Sequence, residues 1–223
     1  MTRVKSKPAR IPGNTPKVSL SQKAYDYLME KLMANELAPG DLLNRRQIAE
    51  ELNISVAPVL EAVVQLESDG ILESIPRKGT RVCGVRMEDL RGQFILREAL
   101  ECEAARVYAG SLVQGHYAEL ERLAAAADKD YQDIRLAWNI ENEFHSALVA
   151  LTGIPMLLTA FGNVMRKKLF MGIQLYQSVH PESMRDSHIE LLKALSVAKA
   201  DEAARLVRHH IRCGKEALFR GLP

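Results

Sequence analysis

The chain of 223 residues is 47% hydrophobic and 26% charged. That balance suits one large globular domain or two modest ones, and excludes a mostly disordered or fibrous chain. No apolar run nears the ~20 residues that span a bilayer, and no apolar stretch follows the basic N-terminus to make it a secretory signal. Three scattered cysteines (Cys83, Cys102, Cys213) without a CxxC spacing point to reduced thiols in a cytoplasmic protein. The net charge is +2, unevenly placed: residues 1–84 carry 12 Lys/Arg and 10 Asp/Glu, and residues 85–223 carry 18 of each. The first 18 residues hold Arg3, Lys5, Lys7, Arg10 and Lys17 against no acid. Such a segment is either a solvated tail or an arm that touches nucleic acid.

From Leu20 a helical pattern begins, with Ala24, Leu28, Leu32 and Met33 at three-to-four spacing. It stops near Pro39-Gly40. Asn44, with Gln47 three residues on, predicts the start of a short helix, and Asn53 a left-handed break. Ser55 is placed to cap the next helix, whose face is Val59, Ala62, Val63 and Leu66, with Gly70 as its stop. Two β-type runs follow, Ile71–Ile75 and Thr80–Cys83, joined by Pro76-Arg77-Lys78-Gly79. Everything after Met87 reads as helix. Six segments are expected, near 88–110, 114–129, 131–151, 155–177, 182–198 and 200–219.

Three short helices and a hairpin with a basic tip make a winged helix-turn-helix. Its third helix enters the major groove, while Arg45, Arg46, Arg77 and Lys78 are placed for phosphates and Gly79 for close backbone approach. Residues 20–84 resemble the DNA-binding domain of the GntR family of bacterial transcription regulators. The landmarks are Pro39-Gly40, Leu43, Ile48-Ala49, Leu52, Ser55, Pro58-Val59, Glu61-Ala62, Leu66, Gly70, Gly79 and Val82. The resemblance implies DNA contacts at Arg46 and Gly79. It also implies arginines where this chain has Val56 and Leu60, and residues 54–67 contain no Lys or Arg. Base readout must therefore differ, with Ser55, Val56 and Ala57 offered to thymine methyls and base edges.

In the helical half, His145 lies one turn after Glu141, His188 on the stripe of Leu191, Leu192 and Leu195, and His210 with Ala203, Leu206 and Val207. Periodicity turns His210 inward and His209 outward, and leaves His116 and His180 in solvated loops. The spacing fits hydrogen-bonded core histidines and also a metal site of three histidines and one glutamate. Arg97 and Glu101, four apart, read either as a core ion pair or as an Arg that forks onto a ligand carboxylate. Residues 88–218 resemble the all-α FCD effector domain of the FadR subgroup, through LREALECEAARVYAG, ENEFHSAL, SHIELLKAL and ADEAARLVRHHI. That resemblance implies a divalent ion, zinc-like or nickel-like, on Glu141, His145, His188 and His210, with Glu in place of the usual Asp. FCD domains typically sense small organic acids, which suits the reading of Arg97 and Glu101 as a carboxylate effector site beside that of a core ion pair.

The expected fold is mainly α: a flexible arm (1–18), a winged helix-turn-helix domain (19–84) and an all-helical effector-binding and dimerisation domain (85–223). The expected function is a ligand-responsive repressor that binds operator DNA as a homodimer in the cytoplasm. The alternatives are a regulator whose effector is the metal itself, and a metal-dependent hydrolase, for which no general base beyond the ligands is apparent.

Overall fold

Ser19 starts the first helix: its hydroxyl accepts from the Gln22 amide at 3.0 Å, satisfying one of the unpaired N–H groups of α1 (Leu20–Met33). The computed structural model describes residues 19–175 and 187–220. The basic arm, His180 and the start of the helix expected from residue 182 lie outside the described residues. α2 (Arg45–Leu52) begins at Asn44, whose side chain accepts from the Gln47 amide at 3.2 Å, and ends at Asn53 in the left-handed conformation, φ 52°. Ser55 holds the N-cap of α3 (Val56–Ser68) through its extended backbone, but its hydroxyl makes no capping bond. β1 (Leu72–Ile75) pairs antiparallel with β2 (Gly79–Val82), Leu72 opposite Val82 and Ile75 opposite Gly79. The hairpin tip turns through positive φ at both Arg77 (63°) and Gly79 (109°). Leu28, Leu32, Val59, Leu66, Ile71 and Val82 close a core beneath the three helices and the hairpin.

The second half is a helical bundle built from α4 (Met87–Tyr108), α5 (Ser111–Gly115), α6 (Tyr117–Ala127), α7 (Ile134–Ala150), α8 (Pro155–Leu175), α9 (His188–Leu195) and α10 (Ala200–Arg220). That is one helix more than expected among the described residues. The segment read as 114–129 is divided at His116, whose backbone (φ −119°, ψ 14°) leaves the helical region and isolates α5. Small residues let α4 and α10 approach closely: Ala104 and Ala105 on one and Ala203 and Ala204 on the other are buried, and the Cys102 thiol donates to the Ala204 carbonyl at 3.3 Å. All three cysteines are free thiols. No helix among the described residues is long and apolar enough to cross a membrane.

α8 links the two halves. Its Arg166 lies 4.0 Å from Asp69 and 5.9 Å from the Tyr25 ring, and the Tyr25 hydroxyl donates to Asp69 at 2.9 Å. Further along α8, the ring of Trp138 from α7 packs directly against Gly172. A Cβ at that glycine would sit 1.4 Å from a Trp138 ring carbon. Gly172→Ala is therefore expected to displace the ring and destabilise the bundle by about 1–3 kcal/mol. Trp138 is the chain's one tryptophan, so its emission reports the change directly. An alanine variant with unaltered emission and melting temperature contradicts this packing.

Candidate metal centre and nucleic-acid interface

Three helices deliver three imidazoles to one buried point. α7 carries His145 in mid-helix, α9 begins at His188, and α10 presents His210; all are at most 8% exposed. One ring nitrogen from each lies within 4.8 Å of the other two. The ring centroids are 5.6 Å apart for His145 and His188, 5.3 Å for His145 and His210, and 4.7 Å for His188 and His210. Phe144 packs edge-on against both His145 and His188. His209 is exposed, as the periodicity requires.

Carboxylates fix two of the rings. The Nδ1 of His145 lies 2.7 Å from Glu101 Oε2, and that of His188 lies 2.8 Å from Asp128 Oδ1. An ionised carboxylate can only accept, so each Nδ1 carries the proton and each Nε2 keeps a lone pair. Both Nε2 atoms are buried without a hydrogen-bond partner among the described residues. A buried acceptor left unpaired is costly unless something occupies it. Imidazoles oriented by carboxylates, with a ring nitrogen of each close to the others, are a donor set that suits a divalent metal.

Glu141 stands apart from this triangle. Its Oε1 accepts from Arg97 Nη1 and from Lys168 Nζ, both at 3.0 Å, and lies 4.0 Å from His145 Nε2. Arg97 also donates through Nε to Glu101 at 2.5 Å, and is 3% exposed. Thus Glu101 meets Arg97 on one oxygen and His145 on the other.

The electrostatics follow from burial and these partners. Burial, reinforced by the Arg97 charge, pushes His145 down to about 3 against the pull of Glu101. Burial and the neighbouring His210 push His188 down as well. For Glu101, burial favours the acid form, but Arg97 and His145 outweigh it and hold the group below the usual carboxylate range. Lys168 and Arg97 do the same for Glu141, more strongly. Lys168 is itself lowered, by burial first and Arg97 second. The imidazoles of His145 and His188 are therefore neutral and able to ligate at pH 7. In chelated protein, the unfolded chain protonates its histidine near 6.5 while His145 resists to about pH 3. The unfolded state then binds more protons, and stability falls with acidification across that window, by up to ~1.4 kcal/mol per pH unit. Urea titrations at pH 7, 6 and 5 check this; constant stability contradicts it.

Two members of the site were not singled out in the sequence. Asp128, at the C-terminal end of α6, also accepts from the His188 and Ile189 amides at 2.8 and 3.1 Å and so caps α9. Lys168 lay in a basic run, yet it shares the inward stripe of Phe161 and Met165, which is the signal that could have found it.

In the N-terminal unit, Arg46 is exposed and Arg45 half-buried on α2, and Arg77 and Lys78 are exposed at the hairpin tip. On α3, Ser55 and Ala57 are exposed and Val56 is half-buried. Neighbouring elements thus carry exposed basic groups, and the recognition helix has none of its own.

A three-helix unit with a basic-tipped hairpin, followed by a helical bundle, defines a winged helix-turn-helix DNA-binding protein with a second, all-α domain. Residues 20–82 match the gntR family of bacterial regulatory proteins and residues 94–212 match the FCD domain. The chain belongs to the GntR family of bacterial transcription regulators. It is 23% identical over 203 residues to the transcriptional repressor RspR of Escherichia coli (strain K12), covering 88% of each chain. It is 29% identical over 201 residues to the transcriptional regulator McbR of the same organism, covering 86% of this chain and 89% of that one. The solved structure of E. coli McbR/YncC superposes with a TM-score of 0.67 at 23% identity, over 92% of this chain and 99% of the other. These relatives and this fold are transcription regulators rather than enzymes, which removes the hydrolase alternative.

Proposed function

We propose that this regulator binds its operator as a homodimer and changes its DNA affinity when a small carboxylate enters the helical bundle beside a divalent ion. The single observation that carries the reading is the pair of buried, carboxylate-oriented histidines that gather with His210 and whose Nε2 atoms have no hydrogen-bond partner among the described residues. His145, His188 and His210 would hold the ion, with Glu141 adjacent. Its chemistry there is that of a Lewis acid that anchors an incoming carboxylate. Arg97 and Lys168 would receive the far end of that effector in place of the Glu141 carboxylate, which now lies between them. Glu101 would act by orienting His145 and balancing Arg97.

Coupling to DNA has a physical route. Lys168 faces the site, whereas Arg166, two residues earlier on α8, touches Asp69 and Tyr25 of the winged domain. A shift of α8 on effector binding would change how the two winged domains are presented. One winged helix covers a half-site, so a two-fold dimer reading a pseudo-palindrome is the arrangement that fits. The division into arm, winged domain (19–84) and effector domain (85–223), a cytoplasmic location, and repression relieved by effector complete the proposal. That RspR of Escherichia coli is a transcriptional repressor supports the repression alone.

A second reading, in which the ion itself is the effector, rests on the same three histidines. Fluorescence anisotropy of the chelated protein on its own promoter fragment separates them. Metal alone shifts affinity in the second reading; metal followed by carboxylate is needed in the first. The same assay tests the DNA contacts. Because α3 has no cation, phosphate contacts dominate, and affinity should fall steeply with salt. Arg46→Ala should weaken binding alike on all sequences and reduce the salt slope by about 1. An unchanged slope would remove Arg46 from the interface.

A further inference from the structure

The outer face of α3 is apolar. Ala57, Leu60, Glu61 and Val64 fall at i, i+3, i+4 and i+7, on one face of the helix, and all four are exposed. Leu60 is 40% and Val64 63% exposed. Neither belongs to the core beneath the helix, which is made by Val59, Ala62, Val63 and Leu66 from the opposite face. The stripe itself carries a single charge, the acidic Glu61, while Arg46 on α2 and Arg77 and Lys78 at the hairpin tip are exposed. Cations on neighbouring elements can hold phosphates while the cation-free stripe meets the hydrocarbon of a groove floor.

In duplex DNA the major-groove floor offers one apolar group, the C5-methyl of thymine. Guanine is recognised there by forked donors on its O6 and N7, and α3 has no lysine or arginine to supply them. Glu61 can only accept, from exocyclic amino groups of cytosine or adenine, and its charge repels phosphate. From this placement we infer that α3 reads thymine methyl groups through Ala57, Leu60 and Val64, so that the half-site beneath the helix is rich in A·T pairs. The inference rests on the DNA-binding reading of the winged domain and extends the small-residue contacts at Ser55, Val56 and Ala57 to two larger side chains further along the helix. It assigns Leu60 and Val64 as specificity-determining residues.

Uracil isolates the methyl group, because it pairs as thymine does and lacks only that carbon. The experiment selects bound duplexes from a random pool with the full-length protein. It then replaces thymine by uracil at the protected half-site positions and measures affinity by anisotropy at several salt concentrations. Each methyl buried against Leu60 or Val64 is expected to be worth about four-fold, the value of one buried carbon, so two per half-site give more than tenfold. The salt slope should not change, since phosphate contacts are untouched. Leu60→Ala and Val64→Ala, both at exposed positions, should bring the thymine-to-uracil ratio toward one, and Leu60→Arg should shift selection toward guanine. Equal affinity for thymine and uracil duplexes, with normal salt dependence, overturns methyl reading and leaves the DNA reading standing. So does a selected site with guanine under α3. Absence of salt-sensitive binding to either duplex overturns both.

Discussion

Arg97→Met should destabilise the protein by about 3–5 kcal/mol, more than any other single substitution considered for this chain. The guanidinium is 3% exposed and sits between two carboxylates, bonded to Glu101 at 2.5 Å and to Glu141 at 3.0 Å. Taking it away leaves two buried negative charges, of which Glu141 retains Lys168 and Glu101 retains only a neutral imidazole. The loss reflects those uncompensated charges more than the worth of the original pair. Arg97→Met with Glu101→Gln should therefore recover part of it, because the amide removes the stranded charge. Urea unfolding of chelated protein measures both variants. A single variant within 1 kcal/mol of wild type, or a double variant worse than the single, contradicts the assignment of Arg97 as the charge centre of the bundle.

The second large effect concerns the metal. His188→Ala and His210→Ala each remove one of three imidazoles and should lower the affinity of chelated protein for Zn²⁺ or Ni²⁺ well beyond 100-fold, as read by calorimetric titration. Asp128→Asn keeps the ligand but weakens the partner that fixes its tautomer. The loss should be about 10–100-fold, the usual range for such outer partners. His209→Ala, one residue from His210 but exposed, should change nothing. Glu141→Gln distinguishes a ligand from a neighbour. Its carboxylate is held by Arg97 and Lys168, 4.0 Å from the His145 nitrogen, so affinity should fall less than for any histidine variant. Full metal affinity in His188→Ala would dismiss the three-histidine centre.

Local chemistry made much of this architecture legible. Asn44 and Gln47 marked the start of α2, Asn53 its left-handed end, and Gly70 and Gly79 the turns on either side of β1, because each is a short-range demand on one or two backbone angles. Helical periodicity separated His210 from His209, since one residue is 100° of rotation and only one of the two can face a core. The division at His116 was not legible, because no proline or capping pair marks it. Asp128 was invisible for a different reason: its partners in α9 are 60 residues away, and the meeting of one helix end with another helix start is a tertiary event. The i,i+4 spacing correctly placed Glu141 beside His145, but spacing says nothing of rotamer. Two cations on α4 and α8 draw the carboxylate to one side.

The central claim is that ligand binding in the bundle changes grip on DNA through a metal-loaded state. The most direct measurement is the affinity of the full chain for its own promoter fragment, by anisotropy at fixed salt. It is made on chelated protein, on protein reloaded with Zn²⁺ or Ni²⁺, and on reloaded protein with acetate, lactate, succinate or citrate in turn. The account predicts that at least one carboxylate shifts affinity five-fold or more in the reloaded protein, that none does so in the chelated protein, and that the shift disappears in His188→Ala while basal DNA binding persists. Affinity that is the same in all three states, or a carboxylate response that survives both chelation and His188→Ala, would contradict it.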